Sequence, residues 1–465
     1  MMKQAGIIRF AVFAAMAMTL ALSTADSARA QDASQPSSAD LAKRVDDLEK
    51  ELAALKSQLA ASQTATPAPA PAAAPAAAPA AAATSAPAAP AAPTGLAGLL
   101  GPTTLSGFVD VYYGYNANQP ANRTTGLRNF DVNSAQFGLN MLELVADRSP
   151  DFAASHLGYH VALGFGEAMN LVNGGEAPSP NVPIAATPGI AGYATAPPGT
   201  ITNFDQYLKE GYLEYLAGKK LQINVGKFVT PAGAEVIESK DNWNYSRGLL
   251  FSWAIPYFHF GMNAKYTFNS KFALTGYLIN GWNNSVDNNS GKTTGFSAAY
   301  TPSAKFSFIE NYLVGPEQNN NNGNFRHLTD TVVTYSPTAK LSFMGNYDYG
   351  HDDVLGLVAP GVSSPVWWTG LAGYIKYAPN DKWYVATRGE WFKDHNGFAT
   401  GVAQNVGEFT LTLQRMLAGK LMSRLEYRYD TSDQAVFPYH SGPPVGDQNT
   451  VTIGLIYAFS SADAK

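Results

Sequence analysis

The sequence predicts an all-β protein: a transmembrane antiparallel β-barrel of about 16 strands, preceded by a short α-helical coiled coil and an Ala/Pro-rich stalk. Three observations carry this. From Leu105 to Phe459 apolar residues recur with period two rather than 3.6. The polar residues between them are mostly Gly, Ser, Thr, Asn and Gln, and only 14% of the 465 residues are charged, against roughly 25% in an ordinary globular domain. Finally, short connections alternate with long ones, as they do when turns lie on one side of a membrane and loops on the other.

Composition removes several alternatives. The chain has no Cys, which excludes disulfide scaffolds, thiolate metal sites and thiol nucleophiles. A net charge of −5 argues against a nucleic-acid partner. No apolar run of 18 or more residues follows residue 30, so membrane-spanning helices are not expected there.

The N-terminus reads as a secretory signal over residues 1–30: Lys3 and Arg9 precede an apolar stretch from Phe10 to Leu22, and Ala28-Arg29-Ala30 forms a small-x-small cleavage site. Residues 31–63 follow as a coiled-coil segment expected in the periplasm. Leu41, Val45, Leu48, Leu52, Leu55 and Leu59 alternate at spacings of four and three, a heptad seam, and Ser38 stands where an N-cap would. About three heptads are marginal alone, so association elsewhere has to support them. Residues 64–102 are an Ala/Pro-rich linker. In polyproline II such a segment reaches on the order of 100 Å.

The barrel is expected over 103–459, with a short tail at 460–465. Strands are predicted near 103–116, 133–146, 155–166, 205–217, 219–229, 254–267, 271–282, 291–302, 305–314, 325–336, 340–350, 366–378, 382–392, 405–416, 419–430 and 448–459. Val109, Val111 and Tyr113 alternate with Asp110, Tyr112 and Gly114. Phe137, Leu139 and Met141 alternate with Gln136, Gly138 and Asn140. The apolar set makes one face, and the neutral polar set suits a wet lumen. Short turns such as Ala217-Gly218-Lys219 and Asn269-Ser270-Lys271 separate the hairpins from long loops at 167–204, 230–253, 351–365 and 431–447. Tyr215, Tyr266, Phe272, Tyr300, Phe306, Tyr335, Tyr377 and Trp383, close to those turns, form an expected girdle at the periplasmic interface. In the last strand Gly454, Tyr457 and Phe459 fit a polar-x-Gly-x-x-aromatic-x-aromatic assembly signal, followed here by Ser460 to Lys465.

Several segments carry a family resemblance: Leu127 to Asp131, Gly226 to Glu238, Asp241 to Arg247, Asn280 to Asn284 and Gly315 to Gln318. With them the chain from about Leu105 to Phe459 resembles the OmpL-like beta-barrel porin family of Gram-negative bacteria. The resemblance implies an outer-membrane pore and fixes no solute.

Sixteen strands leave an aqueous channel unless something narrows it. The third long connection, 230–253, is the candidate constriction, with Glu235, Glu238, Lys240, Asp241, Asn242 and Arg247 as its polar residues. Alternation puts Tyr384, Arg388 and Glu390 on strand thirteen, and Arg424, Glu426 and Arg428 on strand fifteen, on the opposing wall. An acidic loop facing arginines would set up a transverse field; internal ion pairing along the wall is the plainer alternative. The seven His residues are scattered and no nucleophile and base are paired, so catalysis is not expected. Neither cofactor nor metal is expected, although His351-Asp352-Asp353 has cation-ligand chemistry. The function read from the chain is a porin passing small hydrophilic solutes or ions by diffusion. It would sit in outer-membrane lipid as a homotrimer reinforced by the heptads. The alternative is a structural tether, in which the barrel anchors a coiled coil that engages the cell wall.

Overall fold

The computed structural model describes residues 103–174, 204–357, 359 and 361–464. The signal segment, the heptad positions Leu41 to Leu59 and the Ala/Pro linker lie outside these. So does most of the second long loop.

Sixteen strands follow in order: β1 Thr104–Asn116, β2 Gln136–Arg148, β3 Leu157–Phe165, β4 Leu208–Gly218, β5 Leu221–Val229, β6 Phe258–Asn269, β7 Phe272–Ile279 and β8 Thr293–Ser303, then β9 Phe306–Gln318, β10 Asn321–Thr338, β11 Leu341–Leu355, β12 Ser363–Asn380, β13 Trp383–Asp394, β14 Gln404–Ala418, β15 Leu421–Ser432 and β16 Asp447–Ser460. Each pairs antiparallel with its sequence neighbours, and β1 pairs with β16, so the sheet closes into a barrel. Closure leaves no strand edge with unpaired backbone groups, which hydrocarbon would not tolerate.

Alternation sorts the faces. Phe137 is 83% exposed on the outside, and Leu213, Leu371, Phe409, Leu411 and Leu413 are exposed there too. An apolar band this extensive belongs in lipid rather than water. Tyr215, Tyr266, Tyr300, Tyr335 and Tyr377 are exposed beside the short turns, while Phe272, Phe306 and Trp383 are half-buried.

Two features depart from simple alternation. Met141 is predicted to face outward with Leu139 but is fully buried, because a bulge between Asp110 and Val111 shifts the register so that Met141 lies opposite inward-facing Asp110. The expected strict alternation of short and long connections also fails once: β9 and β10 are joined on the loop side by two residues only, 319–320, with Asn320 in the left-handed region at φ 56°. An Asn tolerates that conformation better than most residues.

The interior is packed toward the loop side rather than open throughout. The third loop, 230–257, carries a short helix α2 (Leu249–Trp253), and the second carries α1 (Glu167–Val172). Leu249, Leu250, Phe251, Ile255 and Tyr257 join Phe130 of the first loop and Trp368 of β12 in one buried cluster. In the half nearer the short turns the inner wall is accessible: Lys265 and Thr267 are exposed, and Thr275, Ser297 and Ala299 are half-buried. No helix among the described residues is long and apolar enough to cross a membrane, which says nothing about crossing by strands.

Candidate functional site

The third loop begins where β5 runs into Thr230-Pro231, a Pro that cannot continue the ladder. Gly233, at φ 101°, then turns the chain into the barrel. Its path is marked by bonds to the wall. Asn311 Nδ2 of β9 donates to Pro231 O at 3.1 Å, and Ala234 N donates to Asn346 Oδ1 of β11 at 3.3 Å. Glu235 then reaches Arg388 of β13, with 2.6 Å between Oε1 and Nη1. Its other oxygen accepts from Gly248 N at 2.6 Å, which folds the loop's two limbs together.

Beyond Glu235 the wall side chains grip the loop chiefly through its backbone. Arg424 donates to the carbonyls of Ser239, Lys240, Asn242 and Asn244 at 2.5 to 3.3 Å. Glu426 accepts from Tyr245 N at 2.5 Å and Ser246 N at 2.9 Å. Arg428 donates to Arg247 O at 2.7 Å, and Glu390 accepts from Leu249 N. Tyr384 donates to Trp243 O at 3.0 Å. A loop has no ladder to satisfy its peptide groups. Here charged side chains of β13 and β15 do so, and bonds to ionised groups are the stronger kind.

All the polar loop residues predicted as a constriction lie inside the barrel or on this loop, but they do not form one acidic face opposed to arginines. Glu235 meets Arg388. Glu238 points instead to Lys209 of β4, which also lies 2.5 Å from Glu143 of β2. Lys240 pairs with Asp241 at 2.5 Å and lies over the Phe108 ring. Asn242 closes the loop on itself, accepting from Val236 N and donating to Val236 O. Arg247 is buried over the Phe130 ring and donates to Ile237 O. The loop carboxylates and the arginines are not separated across the lumen because each loop carboxylate lies against a cation, Glu235 against Arg388, Glu238 against Lys209 and Asp241 against Lys240: bare charges in a dry interior are too costly to leave facing one another at a distance.

Ion pairs also run along the wall: Arg388 binds Glu408 of β14, the residue opposite Glu390, at 2.8 Å, and Arg428 binds Asp430 at 2.7 Å, while Arg424 binds the amide of Gln414 at 2.9 Å. These partners sit across strands or two residues on, on the same face.

The loop's own titratable groups reflect this burial. Desolvation lowers the Arg247 guanidinium from its ordinary value against the pull of Asp110. It raises the Tyr245 hydroxyl well above its usual range, with Asp110 adding to the effect. Tyr245 therefore remains a donor, and it bonds Asp110 Oδ1 at 2.9 Å. Burial likewise raises Asp131 in the first loop despite Arg128 beside it.

Other parts of this arrangement were absent from the sequence-derived set. Asp110 of β1 holds the loop through Ser239 Oγ at 2.5 Å as well as Tyr245. Gly454, read as part of an assembly signal, leaves the room that Tyr245 occupies: a Cβ there would stand 2.5 Å from the ring. Arg128 of the first loop reaches Thr450 Oγ1 at 2.7 Å, and Asn129 reaches Ser252 O at 2.8 Å. The Leu127 to Asp131 motif was the available signal, since charged and aromatic residues in a loop imply packing. The His351-Asp352-Asp353 triplet disperses, because Asp352 turns inward to Arg326 at 2.9 Å while its neighbours face outward.

Residues 102–459 match a family model described as "Putative beta-barrel porin-2, OmpL-like". None of the curated proteins matches the chain. Among solved structures, similar ones include an anion-selective porin from Comamonas acidovorans, at 11% identity and TM-score 0.49, covering 77% of this chain and 99% of that one. The outer membrane channel DcaP of Acinetobacter baumannii has 11% identity and TM-score 0.47 over 77% and 97%. OmpF of Salmonella typhi in complex with daunomycin has 11% identity and TM-score 0.49 over 77% and 97%.

Proposed function

Because this chain belongs to the OmpL-like beta-barrel porin family, whose model spans residues 102–459, we propose that it is an outer-membrane porin for small hydrophilic solutes, narrowed by its inward-folded third loop. The observation that carries the reading is the loop's attachment: residues 230–257 enter the interior and are bonded at Arg388, Arg424, Glu426 and Arg428 on the far wall. A loop fixed in this way sets the width left for a solute.

The inner wall that stays accessible supports the solute class. Gln222, Lys265, Thr275 and Ser297 lie opposite one another on β5 to β8 and share the inner face. Three of the four are uncharged hydrogen-bonding groups, which replace part of a hydrophilic solute's hydration and offer little to an apolar one. Lys265 supplies a single exposed positive charge.

In this reading Glu235, Glu238, Lys240, Asp241, Asn242 and Arg247 shape the constriction, and Arg388, Glu390, Arg424, Glu426 and Arg428 hold it in place. The chain assembles as a homotrimer supported by the heptad seam at Leu41 to Leu59, held in the periplasm by the Ala/Pro stalk. The test is swelling of liposomes carrying the purified protein in sugars of graded size. Uptake should fall steeply with solute size, and uptake no faster than in protein-free liposomes would contradict the reading.

A further inference from the structure

Most of the outer wall is apolar: β14, for example, presents Phe409, Leu411 and Leu413. β9 departs from this. Its Glu310 faces outward between Phe308 and Tyr312, opposite Ala298 of β8 and Thr331 of β10. Counted from the short turn it is the fifth residue of its strand, inside the band that lipid would cover. Thr331 Oγ1 donates to one carboxylate oxygen at 2.7 Å, and among the described residues no cation pairs with it. A charged side chain on the lipid face is costly at depth, and within membranes such groups turn to protein or water.

The same wall carries an arginine that no carboxylate of the described residues pairs with. Arg415 of β14 is exposed, and its guanidinium lies 4.9 Å from the centroid of the Trp383 ring. It is the fourth residue from the short turn that ends β14, so it stands at nearly the depth of Glu310. Arg148 and Lys393, which face outward too, stand at strand ends. β14 is the fifth strand after β9 in a closed sheet of sixteen, so the two charges cannot meet around the convex wall of one barrel. Between two copies they can. In a closed ring of three, both contact faces of a protomer lie on the side nearest the axis, and β9 and β14 flank such a side. Gly345, Gly373 and Gly389 stand in a row on β11 to β13 between them. None has a positive φ, and a Cβ on any of them would meet nothing closer than 3.9 Å. The barrel itself therefore does not require glycine there, and glycine inside a strand often marks a place where another backbone comes close.

We propose that copies of this chain associate through the outer face from β9 to β14, with Glu310 of one copy against Arg415 of the next. The contact is head to tail, so three copies close a ring in which each carboxylate and each guanidinium is used once. Pairing takes both charges out of lipid, and the bare glycine row lets the walls approach one another near the axis. The inference rests on the proposed homotrimer and adds the face by which it assembles.

Phe308→Cys combined with Leu417→Cys places thiols beside Glu310 and Arg415 in a chain that has no other cysteine, and leaves both charges intact. The full-length variant in isolated outer membranes is treated with a short bifunctional thiol reagent and run on denaturing gels. Cross-linked trimer is expected from the pair, and only monomer from either substitution alone. Adding Glu310→Arg or Arg415→Glu should lower the cross-linked yield several-fold, and adding both should restore it, because the exchanged charges attract again. Leu144→Cys with Val451→Cys, on the exposed outer face of β2 and β16, should give only monomer. Cross-linking at this second pair, or none at the first while native mass measurement still shows a trimer, would overturn the proposed face and leave the homotrimer standing. Monomer alone by both methods would overturn the homotrimer and the face together. A double charge exchange no better than either single one would overturn the pairing of Glu310 with Arg415.

Discussion

Arg388 of β13 and Glu235 of the third loop meet inside the barrel, 2.6 Å apart and both buried, and Arg388 also holds Glu408 of the next strand at 2.8 Å. One guanidinium thus joins wall and loop. Each partner keeps a second contact, Glu235 with Gly248 N at 2.6 Å and Glu408 with Arg428 at 3.4 Å, and Glu390 lies 3.6 Å from the same Arg388.

Arg388→Ala is expected to destabilise the barrel by about 3–5 kcal/mol, the usual result of stripping the cation from buried carboxylates. Glu235→Gln should cost less, since Arg388 retains Glu408. Denaturant unfolding of the two single variants and the double one measures the coupling directly.

Charge selectivity should follow Lys265 rather than the loop's acids. Glu235 and Glu238 each lie against a cation, Arg388 and Lys209, away from the accessible wall, so converting both to Gln should move the reversal potential less than Lys265→Glu, which should shift preference toward cations. Asp433 is exposed in the last loop, where salt screens charges beyond about 8–10 Å, and Asp433→Asn should change nothing. A larger shift from the loop acids than from Lys265 would place the charge-sensing region at the loop.

The chain has no cysteine, which makes single thiols clean reporters. Lys265→Cys should react quickly with a charged methanethiosulfonate reagent and reduce current. Ser246→Cys, at a fully buried position, should react slowly or not at all. Fast reaction at Ser246 would mean the loop leaves the interior in the membrane.

Gly454 separates a packing role from an assembly role. Gly454→Val forces the Tyr245 ring aside, so protein that does reach the membrane should conduct differently from the wild type. Reduced amount with unchanged conductance would assign Gly454 to assembly alone.

The sequence made the barrel legible because a lipid-facing wall imposes period two on every strand, and the strand count and turn positions follow from that rule. The wall arginines were legible for the same reason: Arg388, Arg424 and Arg428 fall on the inward parity of their strands. Loop geometry obeys no period. That Glu238 turns to Lys209, or that Asp110 holds Ser239, depends on contacts between segments more than a hundred residues apart in one case and on the loop's reverse path in both. Met141 was misplaced by a bulge, which leaves only a weak trace in composition.

Residues 38–63 give the test of assembly. Deleting them should weaken a trimer seen by cross-linking or native mass measurement without preventing barrel insertion. Monomer alone in the intact protein would contradict the proposed homotrimer.

The most direct test of the central claim is single-channel recording in planar bilayers, comparing the intact chain with one in which residues 235–250 are replaced by a short Gly-Ser bridge. Discrete steps are expected for the intact protein and a conductance several-fold larger for the shortened loop, with weaker discrimination between small and large ions. Equal conductance in the two would mean the third loop does not set the width, and an intact protein with no steps at all would contradict the porin reading and leave the barrel as an anchor.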